Sequence, residues 1–487
     1  MKKSFIIALF SVVLLNTSCK KYLDINDDPY LPQTAPPNTY LPNILYSMAE
    51  GEMFDSRFIG CYIQYWNRTS ANYNYDRHGS RLGQPSSTDI TQAFRNHYWV
   101  IGSDVNEMIG QANKKGFGGY EGIGNVVKSW SWQINADQYG ELPFTQAWDN
   151  TRTKFDYDSQ KVIYTGIQAL ADQAIEQLDA GGTVDPKLAS WDLMYHGDLS
   201  KWKKFAYAVK ARLELHKSNK PSFDANKVIE YVNKSFTSND DNASVQFEGT
   251  DGNTSSFYGS NRGNFSFYKP GMAIINLLNG TIYSGVVDPR LPLMFNAHSD
   301  GSYRGLAPGV GDTAVLKAPR MYDKYLFKND AAFPLISYAE LQFIKAEAAF
   351  KKGDKPLAFA AFQQGIKAHM DFTGVSTANS DAYLASSAVP QTSAALTLRD
   401  ILCQKYIALF MNNETWSDLR RNDYQASLYP SYIIPSNLKP ENNGKLVQRV
   451  VYRAFSEFDW NLEAVIKQGA DQPDYHTRKN WAFTDQD

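Results

Sequence analysis

The stretch SYAELQFIKAEAAFKKGDKPLAFAAFQQGIKAHMDF, residues 337–372, decides the fold. Leu341, Ile344 and Ala348 recur at helical spacing, and Gly353-Asp354 interrupts the pattern, with Asp354 placed to cap a second helix. Ala346, Ala348 and Ala349 set against Ala358, Ala360 and Ala361 would let the two helices approach closely. Helix, short turn and helix with small residues at the contact is the grammar of tetratricopeptide-type pairs.

The same grammar extends outward. Val126, Trp130 and Ile134 repeat every four residues in NVVKSWSWQINADQYG. Ile163, Ile167, Leu170, Ala174 and Leu178 form one stripe, with Asp158 or Ser159 as the cap and Gly181-Gly182 as the stop. Asp198 caps a helix that aligns Trp202, Phe205, Val209 and Leu213, and a further helix runs from about Leu398 to Met411 and flows into ETWSDLRRND. The pairs lie far apart and miss a strict 34-residue repeat. The expected fold is therefore mostly α-helical, with tetratricopeptide-like pairs in a single domain over 43–487 and long irregular loop insertions at about 52–100 and 239–315. Those insertions are rich in Asn, Ser, Gly and aromatic residues, and loops of such length usually bind something.

Composition narrows the function. Of 487 residues, 49 are Lys or Arg and 51 are Asp or Glu, so the net charge is −2 and no basic block exists to hold nucleic acid. Aromatic residues reach 14%, with 30 Tyr, 27 Phe and 10 Trp, which is the unusual feature. Three cysteines cannot build a disulfide scaffold, although Cys61 and Cys403 leave one pairing open; Cys403, on an amphipathic helix, reads as a small buried hydrophobe.

The first residues read as an address. Lys2 and Lys3 precede the apolar run Phe5–Leu15, which suits a signal sequence and is too short to span a bilayer. Asn16-Thr17-Ser18-Cys19 follows, the context in which bacteria cleave before a cysteine and lipidate it, although Leu15 stands four residues before Cys19 rather than three. A plain secretory signal cut near Ser18 is the alternative. Residues 1–18 are expected to be a lipoprotein signal peptide, and 19–42 a lipid-anchored tether held extended by Pro29, Pro32, Pro36, Pro37 and Pro42.

Catalytic signatures are missing from the sequence. The seven histidines at 78, 97, 196, 216, 298, 369 and 476 form no HExxH, there is no GxSxG elbow or phosphate loop, and GFGGYEGIGN does not fit GxGxxG. Asp240, Asp241 and Glu248 fail the calcium-loop spacing. No cofactor, metal or catalytic residue is expected.

Sugars offer apolar C–H faces ringed by hydroxyls, which aromatic planes and Asn, Gln, Asp or Arg side chains match. Tyr65, Trp66, Asn67 and Arg68, continuing to Tyr73 and Tyr75, have this composition, as do Tyr258, Asn261 and Arg262. These nine are the candidate ligand-binding residues, and core packing is the competing reading for each ring, most of all in 57–66. Trp130, Trp202 and Trp416 read as packing, and Arg420 and Arg421 as partners of acids or helix-end carbonyls.

The start CKKYLDINDDPYLP, the helix DLSKWKKFAYAVKARLEL, the segment VVDPRLP, the helix YAELQFIKAEAAFKKGD and the segment ETWSDLRRND together resemble the SusD/RagB family. The resemblance runs from residue 19 to about 423, while the ending HTRKNWAFTDQD departs from the tryptophan-rich terminus often found there. It implies a helical fold on tetratricopeptide-like pairs and an outer-membrane lipoprotein anchored through Cys19 and facing outward. It also implies non-catalytic capture of a nutrient, usually a glycan and in some relatives a peptide, for a SusC-like TonB-dependent transporter. An oligopeptide receptor, a surface glycoside hydrolase and a helical assembly scaffold are the competing functions.

Overall fold

The computed structural model describes residues 34–80, 90–250, 253–255, 266–311 and 321–487. Its longer helices are α1 (Leu41–Ile63), α2 (Gly102–Lys114), α3 (Tyr120–Tyr139), α4 (Gln160–Ala180), α5 (Leu199–His216), α6 (Ala225–Asn233), α7 (Tyr338–Lys352), α8 (Lys355–Thr373), α9 (Thr377–Leu384), α10 (Leu398–Ala408) and α11 (Glu414–Arg421). Strand β1 (Trp66–Arg68) pairs antiparallel with β3 (Tyr268–Pro270), and β2 (Ala243–Gln246) pairs antiparallel with β4 (Ala332–Ile336). The molecule is thus mostly helical, and α3 with α4, α5 with α6 and α7 with α8 pack as consecutive pairs.

Local signals explain most of these boundaries. Ser159 accepts from the Val162 amide at the start of α4, Asp198 from Ser200 and Lys201 at α5, and Asp354 from Leu357 at α8. Gly353 adopts φ +88° and turns the chain between α7 and α8. Where those helices meet, Gly365 lies so near the Phe343 ring that a Cβ would come within 2.8 Å of it. Ala346, Ala349, Ala358 and Ala361 share that cluster, whereas Ala348 faces the larger core and Ala360 is exposed. Ala360 does not belong to the contact because two residues of helix turn it about 200° from Ala358.

Two boundaries differ from the sequence expectation. Residues 52–63, expected within a loop insertion, are the second half of α1. That helix is buried almost all round, from Leu41 and Ile44 to Tyr62 and Ile63, so its sequence lacks the one-sided apolar stripe of a surface helix. The helix at 398–411 does not flow into ETWSDLRRND: α10 stops at Ala408 and Met411 takes φ +68°. Asn412 then accepts from the Glu414 amide at 2.9 Å and donates to the Pro334 carbonyl at 3.1 Å, so α11 begins afresh.

The core contains charges as well as apolar side chains. Arg212 on α5 donates to both carboxylate oxygens of Glu340 on α7 at 2.7 Å. His216, one turn further, meets Glu414 Oε1 at 2.6 Å through Nε2 and Asp137 Oδ2 at 3.3 Å through Nδ1. Arg421 pairs with Glu347 and Asp418, and Lys405 with Asp418. Arg420 donates to the carbonyls of Asp137 and Gln448 and lies 3.8 Å over the Trp416 ring. Trp130, Trp202 and Trp416 are buried in packing. Cys61 and Cys403 are both buried free thiols.

Candidate functional site

The structure divides the sequence-derived candidates. Tyr65, Trp66, Asn67 and Tyr75 are core residues and not a surface platform. Tyr65 donates its hydroxyl to the Tyr406 carbonyl, and Trp66 lies 4.8 Å from the Tyr268 ring. Asn67 donates to Asp76 Oδ1 at 3.1 Å, and Tyr75 packs 4.9 Å from Phe58 and 5.7 Å from Tyr62. The cause is α1, whose C-terminus feeds directly into β1 and carries these rings beneath the surface.

Arg68 and Tyr73 stay half-buried and come together. The Arg68 guanidinium sits 4.7 Å over the Tyr73 ring and 5.5 Å from Phe267, which is exposed. Tyr73 and Tyr268 share a hydroxyl–hydroxyl hydrogen bond at 2.9 Å. Tyr258, Asn261, Arg262 and the lipidation candidate Cys19 lie outside the described residues, as does most of the 19–42 tether.

An aromatic cavity of about 350 Å³, which sequence reasoning missed, opens elsewhere on the surface. Phe94, Arg95, Tyr98, Trp99, Pro143, Ala147, Trp148, Phe155, Arg453, Ser456, Glu457 and Asn461 line it. Two of its walls are π-helical, at Asn96–Ile101 ahead of α2 and at Ala454–Phe458. Such single wide turns recur at functional sites because they re-aim side chains that a regular helix would stack. Here the first one leaves Trp99 standing out, 66% exposed, with Arg95 stacked 4.6 Å over its ring.

Behind Trp99 the cavity is firmly built. The Trp148 indole N–H donates to the Tyr98 carbonyl at 2.8 Å, and Gly102 leaves room for that ring, since a Cβ there would fall 1.8 Å from it. Tyr98 donates its hydroxyl to the Pro143 carbonyl at 3.1 Å. Trp132 backs both rings, 5.6 Å from Tyr98 and 5.7 Å from Trp148, and His97 stands edge-on to Trp132 at 4.1 Å. Burial pushes the His97 imidazole down to about 3, so it is neutral where it meets Ser131 Oγ at 2.7 Å. On the opposite wall Asn461 accepts from the Phe155 amide at 2.9 Å and donates to Glu457 at 3.0 Å, and Tyr157 donates its hydroxyl to the same carboxylate. Phe455 and Trp460, 51% and 68% exposed, flank that wall.

A rigid slot of rings with a protruding indole is suited to stacking on an apolar face, with polar groups at its margin to set orientation. Two other cavities of similar size have mixed linings that include several charged side chains, Asp323, Lys324, Lys328 and Asp330 in one and Lys161, Lys217 and Asp487 in the other. The buried trio Asp137, His216 and Glu414 brings its ligand-type atoms within 4.8 Å of one another. A carboxylate on each side of one imidazole is the geometry of an ion-pair clamp. Burial lowers the His216 pKa, but Asp137 and Glu414 outweigh it and lift it to about 9.

The sequence did contain a signal for the cavity: Arg95 and Trp99 stand four residues apart in QAFRNHYWV, and FSEFDW repeats aromatic residues at 455–460. Spacing alone could not show that two segments more than 350 residues apart face the same space.

The family model described as SusD-like, starch-binding and associating with the outer membrane, matches residues 29–453. No curated protein matches the chain. Among solved structures, a SusD/RagB family protein from Bacteroides thetaiotaomicron is similar at 23% identity and a TM-score of 0.69, over 93% of this chain and 100% of that one. A chitin-binding protein is similar at 23% identity and a TM-score of 0.75, over 92% of this chain and 100% of that one. A chitin-binding SusD homolog from Flavobacterium johnsoniae is similar at 18% identity and a TM-score of 0.73, over 92% and 98%. At these identities the likeness is one of fold, and it agrees with the helix pairs described above. The family model covers most of the chain, and the chain belongs to the SusD-like family of outer-membrane-associated proteins.

Proposed function

We propose that this protein is a non-catalytic, cell-surface nutrient receptor that binds an oligosaccharide in the Trp99–Trp148 cavity. The observation that carries the reading is the exposed Trp99 indole held beside a preformed aromatic slot. A sugar ring stacks on that indole, while Arg95 at the margin and Ser456 deeper in the wall supply hydrogen bonds. Arg68 and Tyr73, with Tyr258, Asn261 and Arg262, are proposed as a separate contact region for a longer chain or for a partner. Lipidation at Cys19 holds the protein on the outer membrane, and a SusC-like TonB-dependent transporter receives the ligand. Stacking plus a few hydrogen bonds gives the modest affinity that hand-off requires.

Calorimetry on the chain lacking residues 1–19, against malto-, chito- and uronate oligosaccharides and mixed peptides, tests the reading. A saturable glycan signal that Trp99→Ala weakens supports it. Binding of peptides alone would replace it with an oligopeptide receptor.

A further inference from the structure

The aromatic cavity carries two guanidiniums, Arg95 and Arg453, against one carboxylate, Glu457. Arg453 is half-buried on its wall, and its Nε is shielded from solvent with no hydrogen-bond partner. Arg95, at the rim, is engaged by the Trp99 ring. Among the described residues neither guanidinium forms a salt bridge. Glu457, the carboxylate on the lining, is taken up by the Tyr157 hydroxyl and the Asn461 amide. Ser456 Oγ is likewise buried without a hydrogen-bond partner.

An Nε–H shielded from water with no acceptor is costly, because that donor goes uncompensated. A planar carboxylate is its natural complement, since it accepts two parallel N–H bonds and satisfies the charge together. Neutral sugars offer only hydroxyl or amide oxygens. Building on the glycan reading above, we propose that the Arg95–Arg453 cavity selects an acidic sugar, one whose carboxylate is taken by Arg453 while its apolar face stacks on Trp99. Ser456 donates to the same group, and Arg95 both stiffens the indole and adds attraction at the mouth. A uronic acid within a chain and a sialic acid at its end present the same carboxylate chemistry.

The test compares oligogalacturonate with its methyl ester, which keeps the sugar and removes the charge. Sialyllactose and neutral chito- and malto-oligosaccharides complete the panel. The acid should bind roughly tenfold or more tighter than the ester, within the range of a charge-assisted hydrogen bond, and the ratio should shrink as salt is raised. Binding of sialyllactose but not oligogalacturonate would place the carboxylate at a chain end and support the proposal equally. Arg453→Gln and Arg95→Gln should each lower the acid-to-ester affinity ratio, and Trp99→Ala should weaken both forms alike and leave that ratio in place. Should Arg453→Gln fail to fold, the acid-to-ester ratio on the unaltered protein and the exposed Arg95→Gln variant still decide. Equal or tighter binding of neutral glycans overturns the acidic preference and leaves the glycan receptor standing. Absence of any glycan signal overturns both.

Discussion

The indole nitrogen of Trp148 is fastened to the main-chain carbonyl of Tyr98, 2.8 Å away, inside the π-helical turn that displays Trp99. That bond joins the loop after α3 to the segment before α2 and fixes one wall of the cavity. It exists only because residue 102 is glycine. Gly102→Ala would place a methyl 1.8 Å from the Trp148 ring, so the ring must leave its slot. Overpacking of this kind costs about 1–3 kcal/mol, and denaturant unfolding should show it together with weakened ligand binding.

Trp99→Ala should separate binding from stability. The side chain is mostly in solvent, so unfolding free energy should move by no more than about 0.5 kcal/mol. If sugar stacking resembles the base–aromatic scale, ligand affinity should fall by about 1–3 kcal/mol in calorimetry.

Tyr75→Ala should do the reverse. Its ring is packed between Phe58 and Tyr62, and deleting a buried aromatic costs about 3–5 kcal/mol of stability. The thermal midpoint should drop sharply, while the protein that remains folded keeps its affinity for ligand.

Gly365→Ala sets two effects against each other. Alanine favours the helix interior by about 1 kcal/mol over glycine, but the new methyl would meet three atoms of the Phe343 ring at 2.8–3.0 Å. That ring is buried and cannot swing away, so overpacking of about 1–3 kcal/mol should prevail and the variant should be the less stable protein.

Stability should decline as pH rises above neutrality. His216 keeps its proton up to about 9 in the folded state and loses it near 6.5 when unfolded, so its contribution is complete below 6.5 and gone by about 9. Glu52 acts in the same direction: burial, with the Asp55 carboxylate beside it, lifts it to about 8, so the folded state holds a proton that the unfolded chain releases near 4.5. Denaturant midpoints at pH 6, 7.5 and 9 should fall in that order. His216→Gln should remove its share of the slope between 6.5 and 9 and leave that of Glu52 below about 8.

Much of the fold is readable in the chain because α4, α5, α7 and α8 each combine an apolar period with a capping side chain. Helix α1 lacks that combination: it starts at Tyr40 with no capping side chain and is buried over most of its surface. The same helix explains the mistaken part of the site. The stretch from Tyr65 to Tyr75 has the composition of a sugar platform, but that composition serves equally for a polar-edged core, and only three-dimensional burial tells them apart. Trp99 lay in the same insertion, unmarked because its companions Trp148 and Ser456 come from distant parts of the chain.

The ion pairs of the core also tie early parts of the chain to late ones. Arg212 and His216 are made early, yet Glu340 follows 128 residues later and Glu414 arrives 198 residues after His216. Without that last acid the imidazole keeps Asp137 alone and loses its nearer partner, Glu414 Oε1 at 2.6 Å. The centre of the molecule is thus completed by contacts between distant parts of the chain, with α11 supplying the final partner of His216. A fragment ending before residue 414 should be a poor substitute for the protein, however many helices it retains.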